Sequence, residues 1–130
     1  MKSIIKLITG SFATFFVYLL GGWDVALQSL LIVIVLDYIT GIAKSYVSKK
    51  LNSNKGFKGI VKKLAMLGMV ALSVVIDHIA GDSGLIRTMV IYYLVANEGL
   101  SIVENLAEMD IIVPEFMKDK LEQLKNKGSE

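Results

Sequence analysis

Apolar residues fall in four long blocks, at about 4–20, 25–43, 64–79 and 85–106, with short polar breaks between them. Wound as helices at about 1.5 Å per residue, the blocks are roughly 24–33 Å long, close to a hydrocarbon core of about 30 Å. Helices are expected, because open sheet edges cannot face lipid and nothing in the pattern suggests barrel strands. Gly21-Gly22-Trp23-Asp24 predicts a tight turn: the glycines permit it, Trp23 suits a headgroup interface, and Asp24 caps the second helix. Gly81-Asp82-Ser83-Gly84 predicts a matching turn between the third and fourth blocks. After Pro114, which suits a first helical turn, Phe116, Met117, Leu121 and Leu124 alternate with charged residues. That tail predicts an amphipathic helix on the membrane surface or between protomers, fraying from Lys125 onward. The fold class predicted is all-α: one integral membrane domain over 1–130, built from helical hairpins with four transmembrane helices plus a C-terminal amphipathic helix. A three-span arrangement, with the first block lying in the interface, is the alternative.

Charge adds the direction of threading. Seven of the thirteen lysines, Lys44, Lys49, Lys50, Lys55, Lys58, Lys62 and Lys63, fall in the basic loop 44–63, which holds no acidic residue. Lys2 and Lys6 precede the first block, and the other four follow the last. An excess of lysine marks cytoplasmic segments, so the loop, both termini and the tail 107–130 are expected inside. Within the loop, Phe57, Ile60, Val61 and Leu64 lie at i, i+3, i+4, i+7, an amphipathic approach to the third span with Asn52-Ser53-Asn54 as turn and cap. Its lysines abut the membrane, which points to anionic phospholipid rather than nucleic acid. The N-terminus resembles a signal peptide but lacks a small-x-small cleavage pair beside Leu19-Leu20-Gly21-Gly22, so an uncleaved first span is expected. Hydrophobic residues make up 54% of the chain and mean hydropathy is +0.60, beyond the range of ordinary soluble domains.

Charged residues inside a span cost about 2.5–3.5 kcal/mol each near its centre, so each requires a partner or a purpose. Asp37 and Glu98 lie at matching depth, roughly 20 Å from the outer turns, within reach of Lys44, Lys62 or Lys63. In the fourth block Asn97, Ser101, Glu104, Asn105 and Glu108 follow i, i+4, i+7, i+8, i+11 and draw one polar stripe beside Glu98. The stripe fits a pore lining, a protomer contact, or the place where the helix leaves the bilayer. Asp24, Asp77, Asp82 and Arg87, with His78 beside them, suggest an ion-pair cluster at the outer end. Gly10 with Thr14 and Thr9 with Ala13 offer small faces for close helix contact. No cysteine is present, His78 is the lone histidine, and no catalytic or metal-ligand spacing occurs. An enzyme is therefore not expected, nor a cofactor or a metal.

Three stretches resemble the toxin-secretion and phage-lysis holin family of Gram-positive bacteria and their phages. They are Leu36-Asp37-Tyr38-Ile39-Thr40-Gly41 with Ile42-Ala43-Lys44; Lys55-Gly56-Phe57-Lys58-Gly59-Ile60 with Lys62-Lys63-Leu64 and Val75-Ile76-Asp77; and Asn97-Glu98-Gly99-Leu100-Ser101-Ile102-Val103-Glu104-Asn105-Leu106 with Val113-Pro114. The resemblance covers roughly 25–125. It implies a homo-oligomer in the bacterial cytoplasmic membrane that opens lesions through which an endolysin, or a large toxin, escapes without direct contact. Holins often pair with a longer inhibitor from a nearby start, but Met1 is the only methionine before Met66, so any antiholin is expected as a separate protein or from an upstream start. Two alternatives stay open: a small four-helix multidrug exporter using a buried carboxylate at Asp37 or Glu98, and a membrane anchor or adaptor recruiting a soluble partner.

Overall fold

The computed structural model describes residues 1–129. It contains five helices, α1 (Lys2–Leu19), α2 (Val25–Val47), α3 (Ser53–Ala80), α4 (Leu85–Glu108) and α5 (Glu115–Ser129), with no strand among the described residues. Asp24 caps α2 as expected, its Oδ1 accepting from the Leu27 N–H at 2.9 Å. Asn52 caps α3 in the same manner, accepting from the Asn54 N–H at 2.9 Å. The turn before α4 places Gly81, Asp82 and Gly84 at positive φ.

The basic segment differs from its sequence reading as a loop. Its first residues complete α2 and its second half is the beginning of α3, leaving only 48–52 outside helix. Lysine is a good helix former, and the apolar face from Phe57 to Leu64 already has helical spacing. The amphipathic approach and the third span are one 28-residue helix.

Helix α4 is the centre of the molecule. It packs against α2, α3 and α5, whereas α2 and α3 touch little and α1 joins none of these packings. The core consists of Leu30 and Ile34 from α2, Val70 from α3, and Ile91 and Leu94 from α4. Outside it the surface stays apolar, with Ile32, Val35, Leu72 and Val75 each more than half exposed. No residue of α1 is buried. Soluble monomers rarely expose so large a contiguous apolar surface, which suits lipid contact.

Three helices, α1, α2 and α3, are long and apolar enough to cross a membrane. Helix α4 is not among them, because Arg87, Glu98 and Glu104 interrupt it. A central helix shielded by two neighbours needs less apolar surface than a peripheral one.

The tail departs most from expectation. Helix α5 does not fray from Lys125 but is helical to Ser129, and it lies back along α4 of its own chain. Leu121, Leu124 and Gly128 are half-buried on the α4 side, while Phe116 and Met117 stay exposed. Two glycines permit this approach. A Cβ on Gly128 would lie 2.5 Å from the Tyr93 amide nitrogen and 2.7 Å from the Met89 carbonyl oxygen, both rigid backbone. A Cβ on Gly99 would lie 2.6 Å from Leu121 Cδ2, the mobile tip of a side chain. Gly128→Ala is therefore expected to lift the end of α5 off α4, whereas Gly99→Ala is absorbed by a Leu121 rotamer change. Amide hydrogen exchange over 121–129, faster in the first variant and near wild type in the second, checks the contrast.

Candidate functional site: a charged centre and a polar face

Asp37 on α2, Lys63 on α3 and Glu98 on α4 meet in one buried group. Lys63 Nζ donates to Asp37 Oδ2 at 2.7 Å and to Glu98 Oε2 at 2.6 Å. The second Asp37 oxygen accepts from Asn105 Nδ2 at 3.0 Å, and the same amide donates to Thr40 Oγ1 at 2.9 Å. All three side chains of the triad are at least 85% buried, and no buried side-chain nitrogen or oxygen among the described residues lacks a partner. Charge-assisted bonds of this length within a low-dielectric interior tie the three helices together at one level. Asp37 and Glu98 thus share one lysine, and of the candidate partners Lys63 takes both. Lys44 instead reaches Glu108 at 3.4 Å on the surface. Lys49, Lys50, Lys55, Lys58 and Lys62 are exposed.

The opposite end of the bundle carries a second charged assembly. Arg87, only 9% exposed, donates from Nη1 to Asp24 Oδ2 at 2.7 Å and from Nη2 to Asp24 Oδ1 at 3.1 Å. Its Nε donates to the Leu20 carbonyl at 2.6 Å, and Nη2 also reaches the Gly22 carbonyl at 3.1 Å. One guanidinium therefore holds the α1–α2 turn against the start of α4. The hydrogen bond from Arg87 holds the Asp24 carboxyl below its usual pKa.

Asp77 does not join this cluster through its charge. Its two carboxylate oxygens accept from the Ile86 and Arg87 backbone N–H groups at 3.0 and 2.8 Å, capping α4 from the end of α3. His78 and Asp82 form an exposed pair at 3.2 Å. Neither the Arg87 grip on backbone carbonyls nor the Asp77 cap was legible in the sequence, since both depend on how α3 and α4 meet.

The single polar stripe of α4 divides in space. Glu98 and Asn105 turn inward to the triad, and Glu108 turns to Lys44. Asn97 and Glu104 face α5 and, with Glu122 and Lys125, line a cavity of about 340 Å³, while half-buried Ser101 borders both this cavity and the cleft that holds the triad. Exposed Asn97 and Glu104 thus adjoin the charged residues of α5. The small-residue faces of Gly10 and Thr14 are exposed, and a Cβ on Gly10 would meet nothing within 4 Å.

Comparison with known proteins follows the same outline. Residues 14–126 match the bacteriophage holin family, a span that takes in α2 to α4 whole and most of α5. A Clostridium perfringens protein of uncharacterized function is 39% identical over 126 residues, covering 96% of this chain and 93% of the relative. A Listeria innocua protein is 41% identical over 119 residues, covering 92% and 85%. A protein of Bacillus phage phi105 named as a probable holin is 34% identical over 95 residues, covering 73% and 70%. No solved structure matches. A match that contains the Asp37–Lys63–Glu98 centre, its Asn105 support and the α4–α5 hairpin places this helical chain in the bacteriophage holin family.

Proposed function

We propose that the chain is a holin that assembles in the bacterial cytoplasmic membrane into lesions through which an endolysin passes to the cell wall. The observation that carries this reading is the two-sidedness of the folded chain. One side offers the uncovered apolar faces of α1, α2 and α3. The other joins the polar residues of α4 to the charged residues of α5. Protomers packed side by side would turn the first surface to lipid and the second to water. Asn97 and Glu104 then line the lumen together with α5, while Glu98, Asn105 and Asp37 serve as the fixed internal support. Helix α4 crosses the bilayer as a fourth span, shielded by α2 and α3. The lysine distribution supports a cytoplasmic position for the start of α1, the 48–52 turn and the α4–α5 turn.

Exporter chemistry fits less well, because Asp37 and Glu98 are already engaged by Lys63 and offer no free buried carboxylate to a substrate. Release of a large toxin uses the same opening with a different cargo. A separate antiholin would act on assembly rather than on the folded protomer.

Inducible expression in a bacterial host with a co-expressed endolysin tests the function: abrupt lysis dependent on both proteins is expected, and raised drug tolerance without lysis would oppose it. The chain has no cysteine, so single cysteines can be introduced cleanly. After lysis onset, Asn97→Cys and Glu104→Cys should react with a membrane-impermeant maleimide, whereas Ile32→Cys and Val75→Cys should remain protected. The reverse pattern would contradict the lumen assignment.

A further inference from the structure

At the cytoplasmic end α2 and α3 diverge, leaving a cleft of about 540 Å³ between them and α4. Tyr38 sets the separation. Its hydroxyl donates to the Gly56 carbonyl at 3.3 Å, and its ring lies against Gly59, where a Cβ would fall 3.6 Å from Cε2. Lys63 and its two carboxylates form the floor of the cleft, and Lys44, Lys50, Lys55 and Lys62 surround it. Five lysines against two carboxylates make it a cationic recess. Ser45 and Asn52 add neutral hydrogen-bonding groups, and Ile42, Leu51 and Met66 add apolar wall.

We propose that this cleft binds the phosphate-bearing headgroup of an anionic phospholipid, with the glycerol and upper acyl carbons against Ile42, Leu51 and Met66. A phosphodiester needs several converging cations and donors, which the cleft supplies, and an acyl chain needs an apolar exit, which the walls supply. Lys50, Lys55 and Lys62 are exposed and pair with no acidic residue among the described residues, so they are available to the ligand. Lys63 is already committed to Asp37 and Glu98 and offsets only part of their charge, so the headgroup is held by the lysines around the rim and not by the floor. Occupancy by lipid from the inner leaflet rests on the cytoplasmic orientation proposed above. Binding itself can be measured without any lesion being formed.

The test is native mass spectrometry of the purified full-length chain in detergent, titrated with dioleoylphosphatidylglycerol, dioleoylphosphatidylcholine or inorganic phosphate. Phosphatidylglycerol should bind in preference to phosphatidylcholine. Replacing Lys50, Lys55 and Lys62 together by glutamine should weaken it at least about tenfold. The matched control, Lys118, Lys120 and Lys127 to glutamine, removes the same charge from α5 and should change binding by less than about threefold. Equal loss in both triple variants would reduce the effect to overall charge and overturn the site. Equal binding of the two lipids, or displacement of phosphatidylglycerol by equimolar inorganic phosphate, would overturn the lipid assignment. Circular dichroism of each variant verifies that the helices persist. Loss of lipid selectivity with lysis intact would remove the site and leave the holin reading standing.

Discussion

Lys63→Met is expected to destabilise the helix bundle by about 3–5 kcal/mol, the effect of leaving a buried charge without its partner. Methionine replaces most of the lysine stem, so packing is nearly conserved and the loss is electrostatic. Asp37 and Glu98, each bonded to Lys63 within 2.7 Å, would then confront one another with no cation between them, Asn105 still supporting Asp37. The neutralised triple variant, Lys63→Met with Asp37→Asn and Glu98→Gln, is expected to recover most of the loss, because buried ion groups often exchange for neutral groups at little net change. Thermal unfolding in detergent, followed by circular dichroism, measures both. A wild-type midpoint for Lys63→Met would show that the triad does not tie α2, α3 and α4 together. In a bilayer the same variant carries two unpaired carboxylates at membrane depth, so its accumulation in the membrane should fall as well.

Arg87→Met should be the second most damaging change, at about 3 kcal/mol, since it removes charge-assisted bonds to two backbone carbonyls and a carboxylate. Arg87→Lys keeps the charge but loses the planar fork that reaches Leu20, Gly22 and Asp24 at once, so it should fall between the two. A titration separates the Asp24 contribution. Because the native carboxyl is held below its usual pKa by Arg87, the stability it adds is present above the ordinary carboxylate range and is lost as pH falls through the lowered native value. The difference in melting temperature between wild type and Arg87→Met should therefore shrink on acidification from neutral pH to about pH 3. The pH-dependent part is small, since the Asp24 side chain is 49% exposed and solvent screens the pair. A constant difference across that range would assign the role of Arg87 to the carbonyls alone.

Much of the architecture was readable from periodicity and punctuation. The helices, the Asp24 and Asn52 caps and both glycine turns follow from local chemistry that needs no knowledge of neighbours. The pairing of Asp37 and Glu98 with a lysine was legible too, because charges within apolar blocks must find partners and their depths match. What could not be read is sidedness. A helical stripe at i, i+4, i+7, i+8 and i+11 has two edges about 100° apart, and only the positions of α2, α3 and α5 decide that Asn105 at one edge turns in to Asp37 while Glu104 at the other faces α5. The return of α5 was hidden for a related reason. Its charges suggested water, and the meaning of Gly99 and Gly128 appears only when two backbones lie side by side. Gly56 and Gly59 were quoted as part of a motif, yet their physical service is to make room for Tyr38.

The isolation of α1 has a mechanical consequence. It is a rod of 18 residues, roughly 27 Å long, with no buried side chain, hinged at the turn where Arg87 grips the Leu20 and Gly22 carbonyls and Leu20 packs on the core. Such a rod can change its tilt without repacking the bundle. Bilayers of unequal thickness could then be matched by swinging one lever, leaving the Asp37–Lys63–Glu98 joint undisturbed.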